Sequence, residues 1–234
     1  MSSIQQNIEQ ITSQIRSAEK KCGRDPDSVQ LLAVSKTKPI DAILEAALGG
    51  QVAFGENYVQ EGVDKVKHFS EQHSNLNLEW HFIGPIQSNK TRPIAESFQW
   101  VHSVERDKIA QRLSDQRPSE LPPLQVLIQV NTSGEESKSG TSEETVFALA
   151  ELISSLPNLT LRGLMSIPAN VSDYQSQLNA FSQLADLKGK LAVKYPNIDT
   201  LSMGMSGDMD AAVEAGSTMV RIGTAIFGAR DYTK

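Results

Sequence analysis

Apolar residues in the first part of the chain fall at Ile4, Ile8, Ile11, Ile15, Ala18 and Cys22, in steps of four and three. That spacing draws a single stripe along a helix. Gly23 and Pro26 close it. A short coiled coil is the rival reading. Closure by glycine after so few heptads favours a packing helix over residues 1–23.

Beyond it the pattern alternates between two periods. "VQLLAVSK", "QVAFGE", "LEWHFIG", "WVHSV", "LQVLIQVN", "LTLRGLMSI", "DTLSMGM" and "TMVRIGTAIFG" read as strands. Helical segments separate them: "PIDAILEAALGG", "NYVQEGVDKVKHF", a short one in "QSNKTRPIAES", "ERDKIAQRLSDQ", "TSEETVFALAELISSL", "YQSQLNAFSQLADLKGKLAVKY" and "SGDMDAAVEAG". Pro39 stands near the first turn of the first of these and Gly49–Gly50 at its end. Thr141 and Glu144 are spaced as a capping box. The first, fifth, sixth and eighth strands are nearly continuous apolar runs, as expected of parallel strands covered on both faces. "RPSELPP", residues 117–123, is short enough to be one loop, and no linker divides the chain. Alternating β and α segments suit a closed barrel or an open doubly wound sheet. Eight units in 234 residues favour one (β/α)8 barrel of the TIM type, a single α/β domain over residues 1–234. No GxGxxG follows the first strand, which weakens the dinucleotide-binding alternative.

Composition changes the picture in four places. A net charge of −6 argues against a nucleic-acid binder, and "SNKTR" reads as solvated surface. The lone cysteine, Cys22, forms no internal disulfide and suits a reducing, cytoplasmic compartment; on the apolar stripe it reads as packing. The N-terminus lacks the apolar centre of a signal peptide, and no stretch approaches a membrane span. His68, His73 and His102 have no ligand spacing with acidic or cysteine partners, so no metal is indicated.

Active sites of such barrels lie at the C-terminal ends of the strands. Those ends carry Ser35 and Lys36; Glu56 and Asn57; His81; Ser103; Asn131; Met165, Ser166 and Pro168; Ser202, Met203, Met205 and Ser206; and Arg221, Gly223 and Thr224. Lys36 and Arg221 end adjacent strands and face one mouth. A desolvated lysine beside another cation becomes a neutral amine that forms Schiff bases with carbonyl compounds. Snorkelling into water is the alternative, and Lys38 reads that way. For Arg221 the alternative is a buried salt bridge to Glu56 or Asp199. Ser206 and Gly207 open a helix, and Gly223 and Thr224 follow the last strand, where barrels commonly hold phosphate. His81 points into the barrel with Phe82 outside. A Schiff-base lysine beside a phosphate cradle specifies a ligand with an aldehyde and a phosphate. Pyridoxal 5'-phosphate (PLP) fits, as does a sugar phosphate on an aldolase.

"LLAVSKTKP", "FGENYVQE", "WHFIGPIQSNK", "VNTSGEESKSG", "RGLMSIPA" and "LSMGMSGDMDAAVEAGSTMVRIGTAIFGAR" together resemble the pyridoxal phosphate homeostasis protein family, in order from about residue 30 to the C-terminus. The family is similar to the N-terminal barrel of bacterial alanine racemase, a type III PLP fold. The resemblance implies that Lys36 holds PLP as a Schiff base and that Arg221 faces the pyridine nitrogen. It implies phosphate at Ser206, Gly223 and Thr224, and a ring lined by Asn57, His81 and Met203. It further implies a role in balancing the PLP supply without established turnover, with apo PLP-dependent enzymes as candidate recipients; charge and hydropathy point to no nucleic-acid or membrane partner. The expected state is a monomer. An arginine at the ring nitrogen weakens the electron sink that most PLP enzymes preserve with a carboxylate. The length leaves no room for a racemase's second domain, and none of Tyr58, Tyr174, Tyr195 and Tyr232 is placed as a second base. An amino-acid racemase of the same fold is the alternative function.

Overall fold

The computed structural model describes residues 3–132, 139–169 and 171–229. Eight parallel strands close in sequence order into a barrel. They are β1 (Gln30–Val34), β2 (Ala53–Glu56), β3 (Glu79–Phe82), β4 (Trp100–Val104), β5 (Leu124–Gln129), β6 (Leu159–Met165), β7 (Thr200–Ser202) and β8 (Met219–Ile222). The helices are α1 (Ile4–Lys21), α2 (Ile40–Leu48), α3 (Val59–Gln72), α4 (Thr91–Ser97), α5 (Asp107–Gln116), α6 (Glu143–Ser155), α7 (Tyr174–Ala192), α8 (Met209–Glu214) and α9 (Thr224–Phe227). β1 pairs with β8 through Leu32↔Arg221 and with β2 through Val34↔Gly55, which fixes the register at the seam.

The core has two parts because strand side chains alternate across the sheet. Outward residues such as Leu31, Phe54, Phe82, Val101, Val126, Leu161 and Val220 pack under the helices. Inward residues form smaller groups: Leu32, Ala53, Ile83 and Met219, and Trp100, Leu127 and Met165. Helix α1 follows the expected stripe, burying Ile8, Ile11, Ile15 and Ala18. It packs on α2, α8 and α9. Asn7 donates to the Ile226 carbonyl at 2.8 Å. The buried carboxylate of Glu19 accepts from Val29 N–H, Ser28 and Arg16, tying the helix to the entry of β1.

Four expectations need correction. Cys22 is not on the buried stripe; it is the half-buried C-cap of α1, and Gly23, at φ +69°, makes the left-handed turn that follows. The N-cap of α6 is Ser142, so Thr141 and Glu144 form no capping box; Thr141 bonds the Thr145 hydroxyl instead. The last strand stops at Ile222, and "TAIF" forms the separate helix α9. Lys38 does not reach into water. Its ammonium donates to the carbonyls of Phe227, Gly228 and Ala229, at 2.9–3.1 Å, and caps the C-terminal end of α9. The "SGEESK" part of one quoted motif, Asn170 and residues from Arg230 onward, Tyr232 among them, lie outside the described residues.

Gly163 sits in β6 at φ +151°, where a Cβ would lie 1.8 Å from the Thr200 carbonyl oxygen. Backbone of β7 fills the place of its side chain. Gly163→Ala should therefore cost roughly 2–4 kcal/mol in denaturant unfolding. Gly189, on the exposed side of α7 with open space around it, should behave oppositely: Gly189→Ala should gain about 0.5–1 kcal/mol.

Candidate functional site

The C-terminal mouth is organised by a turn and by a column of polar groups. Lys36 follows β1, half-buried, in a turn that continues through Thr37 at φ +63°. Leu32 and Val34 face the barrel interior, and the alternation carries Lys36 to the same side. Its neighbours are fixed by a buried ion cluster. The Ser35 hydroxyl donates to Glu56 Oε1 at 2.6 Å. The Lys65 ammonium, rising from α3, donates to the Ser35 carbonyl and Glu56 at 2.8 Å and to Glu61 at 2.6 Å. Glu61 also accepts the Thr37 N–H. Residues on both sides of Lys36 are thus held by one ammonium and two carboxylates. Burial pushes the Glu56 carboxyl above its ordinary range, although Lys65 and Ser35 pull it down. Its Oε2 is buried without a hydrogen-bond partner.

Inside the barrel, five side chains from four strands connect end to end. His81 Nε2 meets Glu79 at 2.9 Å, and its Nδ1 meets His102 Nε2 at 2.9 Å. His102 Nδ1 meets the Ser202 hydroxyl at 2.9 Å, which accepts from Arg221 at 2.8 Å. Arg221 donates its other amino group to the Ser166 carbonyl at 2.9 Å. Both histidines are fully buried, and Trp100 stacks on His81 with ring centres 5.3 Å apart. Burial lowers the pKa of both imidazoles, His102 the further, and brings Arg221 down to about 10. The salt-bridge alternative for Arg221 does not form. Glu56 pairs with Lys65 and Asp199 with Arg162, while Arg221 is held by two neutral oxygens.

The remaining candidates divide. Asn57 continues the inward alternation of β2, and its Oδ1 is buried with no partner. The Oγ atoms of Thr132 and Ser166, after β5 and β6, are in the same condition. Gly223 lies against β1, where a Cβ would stand 3.1 Å from the Val34 carbonyl oxygen; Thr224, exposed, opens α9. Ser206 and Gly207 are exposed in the turn before α8, whose N-cap is Asp208. They open on a cleft of about 500 Å³ with Gln14, Lys21 and Tyr174, and that cleft does not include Gly223 or Thr224. Pro168 and Met205 line an adjoining cleft with Gly207. Met203 is fully buried in the helix-facing core, because Ser202 takes the inward position of β7; it does not line the mouth. Ser103 is buried against the Gly84 carbonyl, Met165 fills the barrel interior, and Asn131 N–H bonds the Thr141 carbonyl. Among the described residues, no group of three or more His, Cys, Asp or Glu is placed to hold a metal ion. No described helix is long and apolar enough to cross a membrane.

Sequence reasoning missed Lys65, Glu79 and Thr132, and weighed His102 only as a metal ligand. His102 shares a face of β4 with Trp100, a period-two signal, and Lys65 stands four residues after Glu61.

The sequence matches the family described as "Alanine racemase, N-terminal domain" over residues 6–231. It is 76% identical over 233 residues to the pyridoxal phosphate homeostasis protein of Vibrio alginolyticus, covering 100% of both chains. The chain belongs to the pyridoxal phosphate homeostasis protein family. A second member, from Escherichia coli K12, is 58% identical over 234 residues, again covering 100% of both. The structure of PipY from Synechococcus elongatus with PLP bound superposes with a TM-score of 0.82 at 34% identity, covering 97% of this chain and 100% of that one.

The clamp around Lys36 can be tested by stability. Lys65→Met leaves a buried Glu56 carboxylate without its cation and should cost about 3–5 kcal/mol in urea unfolding. Adding Glu56→Gln should recover much of that loss, a coupling that independent sites do not show.

Proposed function

We propose that this chain binds PLP at the C-terminal mouth of the barrel and serves intracellular PLP homeostasis as a carrier without catalytic turnover. In this reading Lys36 is the Schiff-base lysine, Arg221 faces the ring nitrogen, Asn57 and His81 belong to the ring's surroundings, and Ser206, Gly207, Gly223 and Thr224 serve the phosphate. The whole chain, residues 1–234, is taken as one PLP-binding unit with α1 as its packing helix. It works as a monomer in the cytoplasm, with apo PLP-dependent enzymes as recipients.

The observation that carries the reading is a buried guanidinium held only by neutral oxygens, together with buried polar atoms after β2, β5 and β6 that lack partners: Asn57 Oδ1, Thr132 Oγ1 and Ser166 Oγ. Buried polar atoms without partners are rare and ask for a ligand. Gly223, closed against Val34, keeps the backbone low at the mouth, as a bulky ligand requires. When bound, PLP supplies an electrophilic aldehyde and, with its ring nitrogen protonated, an electron sink. Arg221 is a donor without acceptor capacity, so it favours an unprotonated ring nitrogen and a weak sink. Two of the tyrosines are engaged elsewhere. The Tyr174 phenol donates to Glu214, which pushes its pKa up to about 12, and Tyr195 packs against the core. A group held so firmly in its phenol form at neutral pH is a poor base.

Borohydride reduction of the PLP-loaded protein should fix the cofactor on the peptide containing Lys36, and Lys36→Ala should lose the visible Schiff-base band. Label found only on another lysine would overturn the assignment. Incubation with single amino acids in deuterated water should show no exchange of the α-hydrogen at a catalytic rate; exchange at ~1 s⁻¹ or faster would establish the racemase alternative.

A further inference from the structure

The column in the barrel has a direction. Glu79 is the first residue of β3, so it stands at the N-terminal opening, opposite the mouth. Its side chain is 37% exposed, while His81 is buried completely. The bond to His81 is the chief cause holding the Glu79 carboxyl below its usual range. An ionised carboxylate only accepts, so His81 Nε2 must carry hydrogen. A neutral His81 then has a bare Nδ1, and His102 Nε2 must donate to it. A neutral His102 has a bare Nδ1 in turn, so the Ser202 hydroxyl must point its hydrogen there. That leaves the Ser202 oxygen to Arg221 with lone pairs only. Each group uses the capacity it has, and none has a choice.

We propose that Glu79 is a positioning residue for Arg221: through His81 and His102 it imposes a one-way order of donated hydrogens that runs the length of the barrel, fixes the Ser202 hydrogen on His102 and so orients the hydroxyl that receives the guanidinium. Arg221 is then aimed by a carboxylate at the far opening instead of by a salt bridge beside it. Three neutral groups link the cation to the anion, and each dipole in the series points the same way, so each bond polarises the next. The other charges near the column do not replace Glu79. Arg162 lies over Trp100 at 4.8 Å and is paired with Asp199 at 2.6 Å. Asp208 acts on Arg221 at longer range, without a hydrogen bond to it. A cationic His81 would reverse the order: it would donate to His102 and turn that ring to its Nδ1–H form, so that Ser202 would accept from both His102 and Arg221 and its own hydrogen would lose its acceptor in the column. The geometry therefore distinguishes two assignments that differ in which ring nitrogens carry hydrogen.

Long-range ¹H–¹⁵N correlation of the histidine rings in the cofactor-free protein reads those nitrogens directly. In the wild type at pH 7, His81 and His102 are both expected as neutral Nε2–H tautomers. Ser202→Ala should leave both unchanged, because the order is imposed from the Glu79 end. Glu79→Leu should abolish the single tautomer of His81 and change that of His102; Glu79→Gln, which keeps an acceptor oxygen, should retain both. An imidazolium, or an Nδ1–H tautomer at either ring of the wild type, overturns the proposal, and so do wild-type spectra in Glu79→Leu. Should Glu79→Leu fail to fold, the wild type, Ser202→Ala and Glu79→Gln decide it by the same criterion. The consequence at the mouth rests on the PLP reading above: Glu79→Leu should weaken PLP binding by about fivefold or more, the size of a modest coupling between distant sites. Unchanged PLP affinity would overturn the link to Arg221 even with altered tautomers. A wild-type protein that binds no PLP would sink the cofactor reading and leave the ring tautomers to judge the column.

Discussion

A guanidinium inside a closed barrel must be given hydrogen-bond acceptors or it will not stay there. Interiors of such barrels are ordinarily filled by branched aliphatic residues. Here Arg221 is 5% exposed, and stripping water from it without compensation would cost several kcal/mol. The barrel meets that demand with neutral oxygens, one from Ser202 and one from the Ser166 backbone. Ser202 needs an acceptor for its own hydrogen, which brings in His102, then His81, then Glu79. The polar column follows from one buried charge.

The mouth carries a second charged cluster, built outside the sheet. Lys65 comes from α3 to neutralise Glu56 and holds the turn that carries Lys36. Separating the clusters serves chemistry. A carboxylate beside Arg221 would form a salt bridge and draw the guanidinium away from any ligand. A carboxylate spent on Lys65 instead stiffens the backbone around the candidate nucleophile. Lys38 completes the arrangement by joining the same turn to the end of α9, so segments from both ends of the barrel sequence meet at the mouth.

Alternation made the fold legible in the sequence. Eight short apolar runs separated by helical periods led to a closed barrel, and the period-two rule put His81 inside and Phe82 outside. The same rule, applied to β7 from Ser202, would have placed Met203 under the helices. What the sequence hid was registration across the barrel. His81 and His102 are 21 residues apart, and His102 and Ser202 are 100. Nothing local says that their rings and hydroxyl meet. Glu56 was read as a possible partner for Arg221 because both end strands, and only the pleat shows that they face opposite sides. Helix ends were blurred for a related reason: α8 and α9 are so short that turn residues, not periodicity, set where they begin.

The central claim is that Arg221, and no carboxylate, meets the ring of a PLP bound through Lys36. A crystal structure of the PLP-loaded protein tests it most directly. The account expects the guanidinium of Arg221 within hydrogen-bond distance of the ring nitrogen, still bonded to Ser202, with Lys36 joined to the aldehyde carbon and the phosphate between Ser206 and Thr224. A carboxylate such as Asp208 at the ring nitrogen, or a cofactor seated in the cleft of Gln14 and Lys21 away from Lys36, would contradict it.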